Sequence, residues 1–227
     1  MSARHGVYFV PADGSALARF GQGVLGRDAT GVPVAPLAGL PEVPPEWTAR
    51  PARYGFHATL KAPFRLAADT DEASLVEACD ALARSREACP LDGLRVRRQG
   101  SFVALVQPSS DAAIDALAAD CVVGLEPFRA PLSAADLERR GADALAPEAR
   151  ARLERWGYPH VLEGFRFHMT LSASLPPGAS LDRWLEALAR RFDECVPETP
   201  VLDRIALCRE HTPGAPFVRI AEFPLRG

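Results

Sequence analysis

YGFHATLKA, Tyr54 to Ala62, and FRFHMTLSA, Phe165 to Ala173, are the stretches whose alternation decides the fold. Successive side chains of a β-strand point to opposite faces, so each stretch sorts by parity. Gly55, His57, Thr59 and Lys61 share one face of the first, which leaves Tyr54, Phe56, Ala58, Leu60 and Ala62 for the other. In the second, Arg166, His168, Thr170 and Ser172 face one way, and Phe165, Phe167, Met169, Leu171 and Ala173 the other. Each strand is expected to bury its aromatic and aliphatic face and to present a histidine, hydroxyls and a cation on the reverse. The tetrads HATL (His57 to Leu60) and HMTL (His168 to Leu171) read as two halves of one site.

Working outward, Gly6 to Val10 is a first strand rich in aromatic and β-branched residues, and Ser15 opens a helix reaching about Phe20. Gly21, Gly23 and Gly26 spell GxGxxG. A dinucleotide-binding loop must follow a strand directly and open a helix, whereas these glycines end one, so no such site is assigned. Pro33 to Pro51 is an ordered surface connection. After the first motif come a helix capped by Asp71 and reaching about Cys89, and a hairpin of Leu94 to Arg97 with Phe102 to Val106. Ser110 caps the next helix, and shorter helices are expected over Ser133 to Arg140 and Pro147 to Trp156.

The order then repeats. The second motif leads into a helix from Ser180 to Cys195 and strands near Arg204 to Leu207 and Phe217 to Ala221. ALAR recurs at Ala81 to Arg84 and Ala187 to Arg190, with Cys89 and Cys195 placed alike after each copy. The repetition predicts an α+β chain forming a single bilobal domain over 1–227. Two pseudo-symmetric lobes, each an antiparallel sheet with helices on one face, would meet across a central cleft. The first spans about 1–107, the second 159–227, and 108–158 is a helical connection.

Composition narrows the function classes. With 48% hydrophobic and 24% charged residues the chain is of ordinary globular type, and its net charge of −3 disfavours a broad surface for long nucleic acid while leaving room for a local cationic pocket. The five cysteines lack a CxxC pair and read as reduced core thiols. Val7 to Val10 is too short for a signal-peptide core, and no stretch approaches a membrane span, so a cytoplasmic protein is expected.

Paired histidines suit phosphodiester chemistry. An imidazole titrates near neutral pH, so one copy can take a proton from the attacking oxygen while the other gives one to the leaving alkoxide. Thr59 and Thr170 would donate to the non-bridging oxygens, and Lys61 and Arg166 would add positive potential. Ser172 joins them by parity, and Tyr8 is a candidate for stacking on a base, with a core position as its alternative. The scheme calls for neither metal nor cofactor, and His160 and His211 have no metal-ligand spacing with the motif histidines.

HATL and HMTL resemble the His-x-Thr/Ser-x signature of the two-histidine (2H) phosphoesterase superfamily. YGFHATLKAPF, GFRFHMTL and the upstream RFGQGVLGRDATG are similar to the branch encoded with phosphonate-utilisation genes. That resemblance implies that His57 and His168 are the catalytic pair, that Thr59 and Thr170 bind phosphate, and that the chain opens cyclic phosphates or joins or trims RNA ends; the doubled motif and the lack of a broad basic face favour a small cyclic phosphodiester. Lys61, Arg166, Ser172 and Tyr8 are not family residues. Association with phosphonate-metabolism proteins is the partner the branch implies. Two other classes compete: a nucleotide or RNA-end binding module without turnover, and an assembly subunit of a phosphonate-degrading system.

Overall fold

In the computed structural model, which describes residues 3–227, seven strands form one antiparallel sheet. Together with a separate pair, the strands of the described residues are β1 (Arg4–Phe9), β2 (Ala58–Phe64), β3 (Cys89–Pro90), β4 (Arg95–Gln99), β5 (Phe102–Val106), β6 (His168–Thr170), β7 (Val201–Leu202), β8 (Arg204–Glu210) and β9 (Phe217–Pro224). Their order across the sheet is β4-β5-β6-β2-β1-β8-β9, while the short β3 and β7 pair with each other. The helices are α1 (Ala16–Leu25), α2 (Glu46–Ala52), α3 (Glu72–Arg84), α4 (Ala112–Gly124), α5 (Ala134–Arg139), α6 (Pro147–Trp156) and α7 (Ala179–Cys195). Among the described residues no helix is long and apolar enough to cross a membrane.

The α+β class and antiparallel pairing follow the expectation, and the two repeats share the one sheet by exchanging hairpins. The β4–β5 hairpin, which follows the first motif, pairs with β6 of the second. The β8–β9 hairpin, which follows the second motif, joins β1 and through it β2 of the first. The motif strands lie side by side in register through Ala58↔Met169. Both of those residues are buried. Adjacent placement lets one helix layer cover the apolar faces of both motifs at once.

The main core fills that side. Val7, Phe9, Ala58, Leu60, Met169 and Leu207 of the sheet meet Leu75 and Cys79 of α3, Ile114, Leu117 and Cys121 of α4, and Trp184 and Leu188 of α7. Capping residues set where helices begin. Asp71 and Ser74 form a reciprocal capping box on α3, as Ser133 and Asp136 do on α5. For α4 the cap is Asp111 rather than Ser110, since its carboxylate accepts from the backbone N–H of Ala113 and Ile114. The α3 helix stops at Arg84, short of Cys89, because Cys89 is drawn into the pairing with Leu202. The GxGxxG glycines belong to α1, which runs past Phe20 to Leu25. A Cβ on Gly21 would lie 2.1 Å from the Phe56 ring, so this glycine permits close approach of α1 to the first motif. Inside the Pro-rich connection, Glu46 to Ala52 coils as α2.

Candidate active site

The reverse side of the sheet carries the motif hydroxyls and imidazoles. With Ala58 opposite Met169, antiparallel register sets His57 across from Thr170 and Thr59 across from His168. Histidine and threonine therefore alternate around one small area. Each histidine is oriented the same way. The Nδ1 of His57 lies 2.9 Å from the Gly55 carbonyl oxygen, and the Nδ1 of His168 lies 2.8 Å from that of Arg166. A carbonyl can only accept, so each Nδ1 carries the proton and the neutral ring keeps its lone pair on Nε2. The Thr59 hydroxyl lies 3.2 Å from the His57 Nε2 and can donate to it. Gly55 supplies its carbonyl from a left-handed backbone (φ 75) that other residues rarely adopt.

Surroundings make the two rings unequal. His57 lies on the fully buried Tyr8, ring centroids 4.1 Å apart, with Tyr54 at 6.1 Å. Burial pushes its pKa down to about 4; the Gly55 carbonyl opposes this and the nearby His168 adds to it. Near neutral pH His57 is thus an uncharged ring with a free basic nitrogen. His168 is half-buried, as His57 is, and has Phe102 beside it at 5.7 Å in place of the two tyrosines.

The remaining sequence candidates sit as follows. Lys61 is not on this face. Tyr8 pairs with Thr59 but Val7 pairs with Lys61, so a bulge inserts one residue and turns the lysine into the helix layer. There its ammonium donates to the Val122 carbonyl at 2.8 Å and to Glu126 at 3.0 Å. Ser172 is also withdrawn: its buried Oγ accepts from the Val103 N–H and donates to the Ala173 carbonyl. Regular pairing of β6 ends at Thr170, and strict alternation ends with it. Arg166 is exposed, and its guanidinium folds back onto the carbonyls of Glu163 and Phe165. Tyr8 takes its core alternative, as the surface under His57. Among the described residues no group of three or more His, Cys, Asp and Glu is placed to hold a metal ion.

Several neighbours escaped the parity argument. Tyr54, assigned to the core, stacks on Phe217 with centroids 5.0 Å apart and is only half-buried. Arg27 clamps its segment by donating to the carbonyls of Ala52, Arg53 and Phe217. The segment after α6 returns Tyr158 and His160 to the site. His160 packs edge-to-face on Tyr158, ring centroids 5.4 Å apart, and its pKa is lowered by burial and then by His168. Nothing in the periodicity of 129–165 signals this return, because it is set by a loop.

The family described as "Protein of unknown function (DUF1045)" matches residues 59–218, from the first motif threonine to the last strand. The chain belongs to the DUF1045 family. It is 36% identical over 99% of its length to a protein of Janthinobacterium sp. (strain Marseille) named ribose 1,5-bisphosphate phosphokinase PhnN, of which the match covers 51%. A protein of the same name from Laribacter hongkongensis (strain HLHK9) is 34% identical over 94% of this chain and 50% of its own. The chain thus spans about half the length of these curated relatives. Among solved structures, a conserved protein of unknown function from Agrobacterium tumefaciens str. C58 matches with a TM-score of 0.41 and 14% identity, over 97% of this chain and 86% of that one.

Proposed function

We propose that the DUF1045 chain is a phosphoesterase that opens a small cyclic phosphodiester by paired-histidine general acid and base catalysis, as a member of the 2H superfamily. The observation that carries the reading is the doubled arrangement on one sheet face. Two imidazoles from adjacent strands are each held by an Nδ1–H to a carbonyl two residues back, and each has a threonine across from it. In the proposed reaction a water oxygen attacks phosphorus while the His57 Nε2 removes its proton. The bond to one ester oxygen breaks, and His168, entering protonated, gives its Nε2 proton to that oxygen. A phosphomonoester and a free hydroxyl result, and the two rings exchange protons with solvent before the next turnover. Thr59 and Thr170 donate to the non-bridging oxygens, where charge accumulates. A bound phosphate anion beside His57 raises its basicity from the ligand-free value, because it favours the imidazolium.

The relatives' name suggests a kinase as a second reading, but it belongs to proteins twice as long. A P-loop kinase needs a lysine free to reach the nucleotide phosphates. Lys61 is this chain's only lysine, follows Leu60 rather than glycine, and is engaged with Glu126. We therefore assign the phosphoesterase reading to this half and place it in phosphonate metabolism, alongside enzymes of phosphorylated ribose.

Nucleoside 2′,3′-cyclic phosphates and ribose cyclic phosphates, assayed in EDTA, test the proposal. Turnover that survives the chelator and falls at least 10³-fold in both His57→Ala and His168→Ala is expected for loss of a base and an acid that act together. Loss of all activity in EDTA, or full activity in either variant, refutes the mechanism. Binding without turnover across the panel would favour the recognition module instead.

A further inference from the structure

Beyond the motif face, a narrow cleft opens where β1 and β2 meet α5, lined by Arg4, Ala62, Arg65, Asp136, Arg139 and Arg140. Its charges do not balance. Asp136 alone answers both Arg65 and Arg139, and also accepts from the Ser133 hydroxyl. Arg4 is satisfied by the buried Glu210. Arg140 has no such partner. Among the described residues no carboxylate lies within ion-pair reach of it, its Nε is buried without an acceptor, and its contacts are the Pro63 carbonyl at 3.2 Å and the face of Tyr158, 5.4 Å from the ring centroid. A half-buried guanidinium left in this state is costly unless an anion completes it.

The cleft also lies at a useful distance. Arg4 and Tyr8 are on the same face of β1, four residues and so about 13 Å apart. Tyr158 lies on the way: its ring covers Arg140 and packs edge-to-face on His160, ring centroids 5.4 Å apart. We propose that Arg140, flanked by Arg65 and Arg139, binds a second anionic group of the substrate, a phosphate ester seated at the mouth of this cleft, whose interior of about 20 Å³ has room for no more than a water, and remote from the phosphorus held between His57 and His168. The substrate class then narrows to a cyclic phosphodiester that carries a remote phosphate. This rests on the phosphoesterase reading for the chemistry, but not for the anion site itself.

Two measurements keep these separable. In the first, inorganic phosphate is titrated calorimetrically into the His57→Asn/His168→Asn double variant, where the motif is disabled. Binding is expected to persist there and to weaken at least 10-fold when Arg140→Gln is added. Absence of binding in the double variant, or unchanged affinity on adding Arg140→Gln, overturns the proposal. If Arg140→Gln fails to fold by its melting profile, Arg140→Lys takes its place. It keeps the charge but loses the planar fork, and a several-fold loss is expected, whereas unchanged affinity overturns the site. In the second, kcat/KM is compared for nucleoside 2′,3′-cyclic phosphates with and without a 5′-phosphate. The wild type is expected to prefer the 5′-phosphorylated ester at least 10-fold and Arg140→Gln to lose most of that preference. No preference in the wild type overturns the substrate class. Inactivity on both esters defeats the phosphoesterase reading instead, and the calorimetric result then decides the cleft by itself.

Discussion

Replacing His57 by Asn should remove a specific portion of the pH dependence of folding stability. The structure holds this ring at a pKa of about 4, below the ordinary imidazole value of 6.5, chiefly through burial against Tyr8 and its neighbours. The unfolded chain therefore binds a proton at pH values where the folded one does not. Stability contributed by the neutral ring is intact above pH 6.5, falls as pH drops toward 4 and is constant below that. With those two values, linkage gives a loss of about 2 kcal/mol between pH 7 and pH 5. Asn is a suitable replacement because its amide N–H can still donate to the Gly55 carbonyl while carrying no titratable group. Urea unfolding of wild type and variant at both pH values gives the difference directly, and carboxylates common to the two proteins cancel. The stability lost by the wild type should exceed that lost by His57→Asn by about 2 kcal/mol. A difference under about 0.5 kcal/mol, the scatter of additive sites, would mean that His57 is open to water and is not the preset base.

Other expectations are simpler. Thr59→Val should lower kcat by about 10² to 10³ with Thr59→Ser restoring most of it, as for loss of one transition-state donor; equal rates for Val and Ser would remove Thr59 from the site. Glu126→Gln should destabilise the fold by roughly 3 kcal/mol at neutral pH, since it leaves the Lys61 ammonium buried beside the Val122 carbonyl without its counter-charge. A urea midpoint unchanged in that variant would show that the pair is solvated. Gly21→Ala should destabilise by about 1 to 3 kcal/mol through overlap with Phe56, despite alanine's helix propensity, and a stabilised variant would refute the close approach of α1.

The legible part of this molecule was the part governed by period two. Ala58, Leu60, Met169 and Leu171 are buried on the helix side, as their parity requires. The capping residues Asp71 and Ser133 marked helix starts because a side-chain oxygen paired with a nearby N–H is local information. What could not be read was anything that depends on a break in regularity or on distant partners. The bulge beyond Thr59 reverses Lys61, and the end of β6 at Thr170 frees Ser172 to bond with Val103 and Ala173. Hairpin exchange was equally hidden, since the sequence repeat is compatible with two separate sheets or with one. Tyr158 packs on both Arg140 and His160 from a connection whose composition resembles a solvated surface.

Those departures from symmetry distinguish the two halves chemically. Two identical histidine motifs in identical settings would titrate together, and neither would be committed to giving or taking a proton. In the folded chain the shared device is the Nδ1 anchor, and it fixes only which nitrogen is available. The difference comes from the neighbours: aromatic rings of β1 and the Gly55 turn enclose His57, while His168 sits on a three-residue strand beside an exposed arginine backbone and Phe102. Enclosure disfavours the imidazolium at His57 and so suits it to the base of the proposed reaction. Exchanging the enclosure should then exchange the behaviour. Tyr8→Ala opens the space beneath His57 to water, should raise its pKa toward 6.5, and should move the acidic limb of kcat/KM upward with it. NMR titration of the His57 Cε1–H in that variant reads the shift without requiring turnover. A resonance that still titrates near 4 would show that Tyr8 does not enforce the asymmetry, and the assignment of base and acid would lose its physical ground.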